Sequence, residues 1–263
     1  MKPFLLLLAF LANAGLPVQR VAIPLPHGTT LNAALVRPVG PPHGPAIVAL
    51  HGCAGPLPER DGSWTEMLVR TGHTVLLPDS FGSRGLGSQC GVADRSVDAS
   101  HVRRADAIAA AEWLSRQPDV PPGGIDLLGW SNGGTTVMYT VQQRPDLPPG
   151  LFRRFVAFYP GCRTESQDTA WRPAAPLMIL VGALDDWTPA DPCRSLAARL
   201  PDLITLMVYP GAYHDFDAPG RKLTEQSGLA TPPNGTGHAH TGTNEAARQD
   251  AWHRVPAFLD AAH

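Results

Sequence analysis

A serine held between glycines, an acidic pair and a histidine follow one another along the chain, each just beyond an apolar run. The serine lies in Gly129-Trp130-Ser131-Asn132-Gly133-Gly134, after the apolar run 125–128 and before a helical segment. Strand, sharp turn and helix is the setting in which G-x-S-x-G presents a strained serine as a nucleophile. The glycines are needed there because side chains at 129 and 133 would collide with the neighbouring strand and helix. A serine hydroxyl is a poor nucleophile at neutral pH and needs an adjacent base that a third group orients. In this motif the partners follow in the order serine, acid, histidine. After the apolar run 177–181 comes Gly182-Ala183-Leu184-Asp185-Asp186-Trp187-Thr188-Pro189, where Asp185 and Asp186 compete for the acid's role. Asp185, nearer the strand end, is favoured, and Asp186 is free to cap the helix starting near Pro189. The last apolar run leads into Tyr209-Pro210-Gly211-Ala212-Tyr213-His214-Asp215-Phe216, from which His214 can reach back over the sheet edge to Ser131.

Acyl transfer also requires two backbone N–H donors aimed at the developing oxyanion. Asn132, next after the serine, supplies one, and the turn Leu50-His51-Gly52-Cys53-Ala54-Gly55 supplies the other, through Cys53. His51 reads as a packed or hydrogen-bonded side chain, and His238 and His240 fall in a polar loop. The chemistry expected is attack of Ser131 on an ester carbonyl, with His214 as base and Asp185 fixing the imidazole tautomer. It needs neither a metal nor an organic cofactor.

The elements that must position these residues are legible as short apolar runs. Strands are expected at 19–25, 31–37, 45–50, 73–79, 124–129, 153–159, 176–182 and 203–209, and helices at 97–117, 132–144, 189–200 and 244–262. The later strands are nearly all apolar, as strands covered on both faces are. The helix at 97–117 carries Val102, Ala105, Ile108, Ala109, Trp113 and Leu114 at helical spacing. Alternation of strand and helix implies an α/β fold, a mostly parallel sheet with helices on both faces. The stretch 217–243, rich in Gly, Thr, Pro and His, reads as a long surface loop, and no linker divides the chain from 15 to 263.

Of the 263 residues, 43% are hydrophobic and 17% charged, enough apolar residues for a sizeable core. A formal charge of -2 gives no field to hold nucleic acid or an anionic membrane. Lys2, the apolar run 4–12 and Ala12-Asn13-Ala14 are the parts of a secretory signal peptide, cleaved after Ala14 or a few residues later. That run is too short to span a bilayer, so a soluble, exported (periplasmic or secreted) mature protein is expected. Export permits disulfides, and Cys53, Cys90, Cys162 and Cys193 are too widely spaced for a C-x-x-C site. Asn234-Gly235-Thr236 is a sequon, relevant only in a host that glycosylates exported proteins. Oligomeric state is not written in the sequence.

The chain resembles the α/β-hydrolases and, among them, the dienelactone hydrolase family. The resemblance rests on HGCAG at 51–55, PDSFGSRG at 78–85, GWSNGG at 129–134, GALDDWTP at 182–189 and YPGAYHDF at 209–216. It implies eight strands ordered 1-2-4-3-5-6-7-8, a site at their C-terminal ends, and a small-molecule ester or lactone as substrate. It also implies the pairings Cys53–Cys90 and Cys162–Cys193, because the loops carrying each pair leave neighbouring strands. This chain departs from the family in having Ser131 where the named members carry a cysteine nucleophile, and in lacking a glutamate near the oxyanion turn. Of the two arginines that bind the substrate carboxylate in those members, Arg84 resembles the first, and Ala218 stands where the second would fall. A general serine esterase is therefore the expectation. Arg84 either binds an anionic substrate group or holds its glycine-rich loop. Trp64, Trp130 and Trp187 are candidates for pocket walls or local core, and segment 56–66 for a lid. The alternatives are a serine peptidase of prolyl-oligopeptidase type, which usually carries a large further domain, and a non-catalytic binding protein on the same fold.

Overall fold

The computed structural model describes residues 3–26, 28–120, 124–230 and 235–261. Eight strands form one sheet in the order β1-β2-β4-β3-β5-β6-β7-β8. They are β1 (Val18–Pro24), β2 (Thr30–Val36), β3 (Ala46–Leu50), β4 (Val75–Pro78), β5 (Ile125–Trp130), β6 (Phe152–Phe158), β7 (Leu177–Gly182) and β8 (Ile204–Tyr209). β2 runs antiparallel to β1 and β4, and the strands from β4 to β8 are parallel. This is the order and the mixed sheet that the resemblance implies.

Side chains alternate across each strand, and the two faces collect two cores. Ala46, Val48 and Leu50 of β3 face one core with α3 (Val102–Ser115), α4 (Asn132–Val141) and α6 (Ala190–Arg199). Ile47 and Ala49 face the other, with α1 (Pro3–Asn13), α2 (Pro58–Arg70) and α7 (Glu245–Asp260). A short α5 (Arg163–Gln167) follows β6. Every residue of β3, β5 and β7 is buried, which explains why these strands read as apolar runs, interrupted only at Asp126 of β5, whose carboxylate pairs with Arg153.

Several elements differ from the sequence expectation. The helix expected at 97–117 starts at Val102, because Asp98 accepts hydrogen bonds from the backbone N–H groups of Ser100 and His101 and ends the preceding turn. Segment 56–66 is not a lid: it opens α2, with Pro58 preorganised for the first turn and Trp64 fully buried against Phe158. The long loop 217–243 contains a two-stranded ribbon, β9 (Thr224–Gln226) and β10 (Ala239–Thr241). The sequon's Asn234 lies outside the described residues, as does Lys2. Residues 3–13 form α1, whose Leu7, Leu8 and Leu11 are buried beside α2. Phe10 of the same helix covers Gly62, where a Cβ would overlap the ring. Among the described residues no helix is long and apolar enough to cross a membrane.

Candidate active site

Ser131 sits between β5 and α4 with φ 54° and ψ -116°, a left-handed conformation that a non-glycine residue adopts only under constraint. The constraint is visible in its neighbours. The Ser131 N–H donates to the Phe158 carbonyl of β6 at 3.0 Å. A Cβ on Gly129 would overlap the Gly133 carbonyl, and one on Gly133 would overlap the Leu50 carbonyl oxygen of β3. Both glycines are therefore close-approach residues, as the motif requires.

His214 arrives on the loop after β8. Its Nε2 lies 2.9 Å from Ser131 Oγ and its Nδ1 lies 2.8 Å from Asp185 Oδ2. Asp185, in the turn three residues beyond β7, is held by the backbone N–H groups of Trp187 and Thr188, which donate to Oδ1 at 3.0 and 2.8 Å. The Thr188 hydroxyl, 2.9 Å from the Tyr159 carbonyl, lies 3.0 Å from Asp185 Oδ2 and 3.2 Å from His214 Nδ1. Burial alone would push the His214 pKa down, but the adjoining Asp185 carboxylate and, less strongly, Asp215 outweigh it, so the pKa is raised. The neighbouring carboxylate is occupied elsewhere: Asp186 accepts from the His240 backbone N–H at 2.8 Å and meets its imidazole Nδ1 at 2.7 Å. That pairing separates the two aspartates, which the sequence left in competition.

The turn after β3 passes close to the serine, since a Cβ on Gly52 would sit 3.5 Å from Ser131 Cβ. Cys53 and Asn132 thus flank Ser131. Asn132 is the first residue of α4, so its N–H has no acceptor within the helix. One residue the sequence did not single out ties the two turns together. Arg103 of α3 is buried and donates to the Asn132 side-chain Oδ1 at 2.6 Å and to the His51 carbonyl at 2.7 Å. Burial lowers its pKa to about 9, with Asp106 acting against the shift. His51 stays a structural residue: burial, reinforced by Arg103, holds its pKa well below the usual range.

Both disulfides join the implied partners, Cys53–Cys90 and Cys162–Cys193, with Cα separations of 4.9 and 5.2 Å. The first fastens the turn beside the serine to the loop after β4, where the Gln89 N–H also donates to the Cys53 carbonyl at 2.8 Å.

Two sequence expectations are corrected. Arg84 does not face the site: its two terminal nitrogens form a fork on the Asp106 carboxylate, each at 2.8 Å, and one also bonds the Ser80 carbonyl. A buried carboxylate in reach captures the guanidinium, so Arg84 braces its loop. Trp130 is not a pocket wall either. It is 1% exposed, and its indole N–H donates to Asp217 at 2.9 Å. Asp217 also accepts from the Trp64 indole at 2.8 Å and the Tyr159 hydroxyl at 2.7 Å, and burial raises its pKa. Arg60 lies against this group, paired with Asp61 and with Asp215 and stacked over the Trp130 ring. Only Trp187 faces the cleft, its ring centroid 4.8 Å from that of His214.

Two clefts, of about 400 and 620 Å³, meet at Ser131, with Cys53 and Trp187 common to both. The smaller is bordered by His214, Arg60, Asp215 and Arg221, and the larger by Asn132, Tyr139, Arg95 and Arg163.

The sheet order, the serine on the strand-to-helix turn and the histidine after the last strand define an α/β-hydrolase fold. The dienelactone hydrolase family matches residues 31–263, and the chain belongs to that family. A Mycobacterium tuberculosis protein of uncharacterised function is 29% identical over 214 residues, 71% of this chain and 72% of its own. A Klebsiella pneumoniae structure assigned to the dienelactone hydrolases superposes with TM-score 0.70 at 19% identity, covering 94% of this chain and 99% of that one. Esterase 2 of Thermogutta terrifontis, phosphorylated by paraoxon, gives TM-score 0.65 at 18% identity over 92% and 93% of the two chains. At such identities the likeness is one of fold.

Proposed function

We propose that this hydrolase cleaves a carboxylic ester or lactone through an acyl-enzyme on Ser131. The observation that carries the reading is the unbroken chain of contacts from Ser131 Oγ through His214 to Asp185, at 2.9 and 2.8 Å. His214 takes the serine proton as Oγ attacks the carbonyl carbon, and Asp185 holds Nδ1 so that Nε2 faces the serine. The backbone N–H groups of Cys53 and Asn132 receive the oxyanion. His214 then protonates the leaving alcohol, and water, activated by the same imidazole, releases the acid. Phosphorylation of a similar fold by paraoxon in the Thermogutta esterase is the reaction expected of an activated nucleophile on this scaffold.

Residues 1–14 act in this reading as an export signal, and residues 15–263 form one hydrolase domain. The two disulfides support an oxidising destination. The test is hydrolysis of p-nitrophenyl esters from acetate to octanoate by the mature protein and by S131A. Turnover that disappears in S131A is the expected result. Turnover equal in both, or absent from both, refutes the esterase reading and directs attention to peptides.

A further inference from the structure

The residues next to Ser131 and His214 in sequence meet at one guanidinium. Trp130 immediately precedes Ser131, and Asp215 immediately follows His214. Arg60, in the first turn of α2, lies over the Trp130 ring, 4.9 Å from its centroid. The same guanidinium donates to Asp215 Oδ1 at 2.9 Å and to the Tyr159 hydroxyl at 3.4 Å. Tyr159 in turn packs its ring against the His214 imidazole, with the centroids 4.5 Å apart. Arg60 is buried and anchored: its Nε donates to Asp61 Oδ1 at 2.9 Å, and Asp61 Oδ2 accepts from the Leu57 N–H at 2.9 Å. The cation is thus fixed from α2, an element that carries neither the serine nor the histidine.

The histidine loop needs holding. Asp215 has φ 58°, a left-handed conformation disfavoured for a residue with a Cβ. The Gly242 N–H donates to the His214 carbonyl and the Ala218 N–H to the Asp215 carbonyl, each at 3.0 Å. At the side chain, Arg60 holds one carboxylate oxygen of Asp215, and Arg221 holds the other at 3.3 Å. A planar guanidinium fixes direction as well as distance. Around the imidazole stand Asp185 from the turn after β7, Asp215, Asp217 and Arg221 of its own loop, and Arg60 from α2. Tyr159, after β6, is kept neutral by burial, and His240 of β10 is taken by Asp186. Burial lowers the His214 pKa and Asp185 raises it; of the lesser influences, Asp215 raises it and Arg60 lowers it. Burial opposes ionisation of Asp215, but Arg60, with His214 and Arg221, outweighs it, so the carboxylate is charged.

We propose that Arg60 is a positioning residue for the hydrolytic reaction: gripping Asp215 while it lies on Trp130, it sets the separation and orientation of His214 and Ser131. The assignment rests on the reading of Ser131 as nucleophile and His214 as base. Those two residues stand on different elements, one at the start of α4 and one after β8, so their 2.9 Å contact depends on such a cross-tie. Misplacement by about 1 Å can cost about 100-fold in rate. The pair also has an electrostatic consequence. Without Arg60, the Asp215 charge faces the imidazole less compensated, and without the Asp215 charge, Arg60 does. The two losses move the pH at which His214 is a free base in opposite directions, up for Arg60 and down for Asp215.

The experiment measures kcat and KM for p-nitrophenyl acetate across neutral pH with the mature protein, R60K, R60M, D215N and S131A. Active sites are counted by stoichiometric release of p-nitrophenolate from paraoxon, so partial loss of folded protein cancels. R60K keeps the charge and loses the planar fork, and R60M loses both. In R60M, kcat per active site should fall by about 10-fold or more, with less change in KM, and R60K should recover part of that loss. The midpoint of the kcat/KM profile should rise in R60M and fall in D215N, each by about 0.5 pH or more, and hold in R60K. A role in folding alone would leave the midpoints where they are. An R60M rate within twofold of wild type, or midpoints in R60M and D215N that do not move in opposite directions, overturns the positioning role while Ser131-dependent hydrolysis stands. Where R60M yields no soluble protein, an R60K rate within twofold of wild type, or a D215N midpoint that does not fall, overturns it. Turnover absent from wild type, or equal in S131A, overturns the esterase reading and the positioning role with it.

Discussion

Glu165 lies on α5, the short helix that carries Arg163 and follows Cys162. It is 2% exposed, and neither carboxyl oxygen has a hydrogen-bond partner among the described residues. Burial, with a smaller push from Asp168, raises its pKa from 4.5 to about 7, against the pull of Arg144. Between pH 4.5 and 7 the folded chain holds this proton and the unfolded chain has released it. Stability therefore falls as pH rises through that interval. The interval corresponds to about 3 kcal/mol, at about 1.4 kcal/mol for each tenfold change in proton affinity. E165Q keeps the shape and cannot ionise, so it escapes the loss. Urea unfolding with the disulfides intact, at pH 4.5, 6, 7 and 8, reads the difference between variant and wild type. That difference should grow in favour of E165Q by about 3 kcal/mol from the lowest pH to the highest. Other titrating groups are common to both proteins and cancel. A difference independent of pH, or one that favours wild type as pH rises, refutes the reasoning.

Three further outcomes are expected. The serine reaction needs neutral His214, whose pKa is raised mainly by Asp185 against the cost of burial; kcat/KM should rise with pH through a midpoint above 6.5, and D185N should lower both midpoint and rate. Arg103 bonds both turns that flank the serine, so R103M should lower kcat by about 10- to 100-fold, less than the roughly 100- to 1000-fold lost when an oxyanion donor itself is removed, with a smaller change in KM. An R103M rate within twofold of wild type would exclude this positioning role. Replacing either cysteine pair with serine should cost about 2–4 kcal/mol in unfolding experiments, but only C53S/C90S should also depress kcat, because Cys53 lies on the turn beside Ser131.

Which parts were readable from the sequence follows from the range of the interactions involved. β3, β5 and β7 are covered on both faces, so each could be found from a handful of consecutive residues. Gly129 and Gly133 are dictated by backbone approaching backbone within one strand-turn-helix unit, and the order of serine, acid and histidine follows from the succession of strand ends. α2 and α5 were missed: α2 buries polar Arg60 and Asp61 together with Trp64, which breaks the apolar stripe, and α5 has only five residues.

Partner choice was decided by tertiary structure. Asp185 and Asp186 are chemically identical neighbours, and they separate only because His214 and His240, 29 and 54 residues further along, reach one each. Arg84 turned to Asp106, Trp130 to Asp217 and Arg103 to Asn132 for the same reason. A charged or polar group leaving water takes whichever complementary group the fold brings within hydrogen-bond reach, since an unpaired one is costly. The sequence by itself determined which backbone elements form and where a strained serine must sit. Only the folded chain, by bringing together groups such as Arg60 and Asp215, 155 residues apart, determined which side chains are bound to one another and which are left facing the cleft.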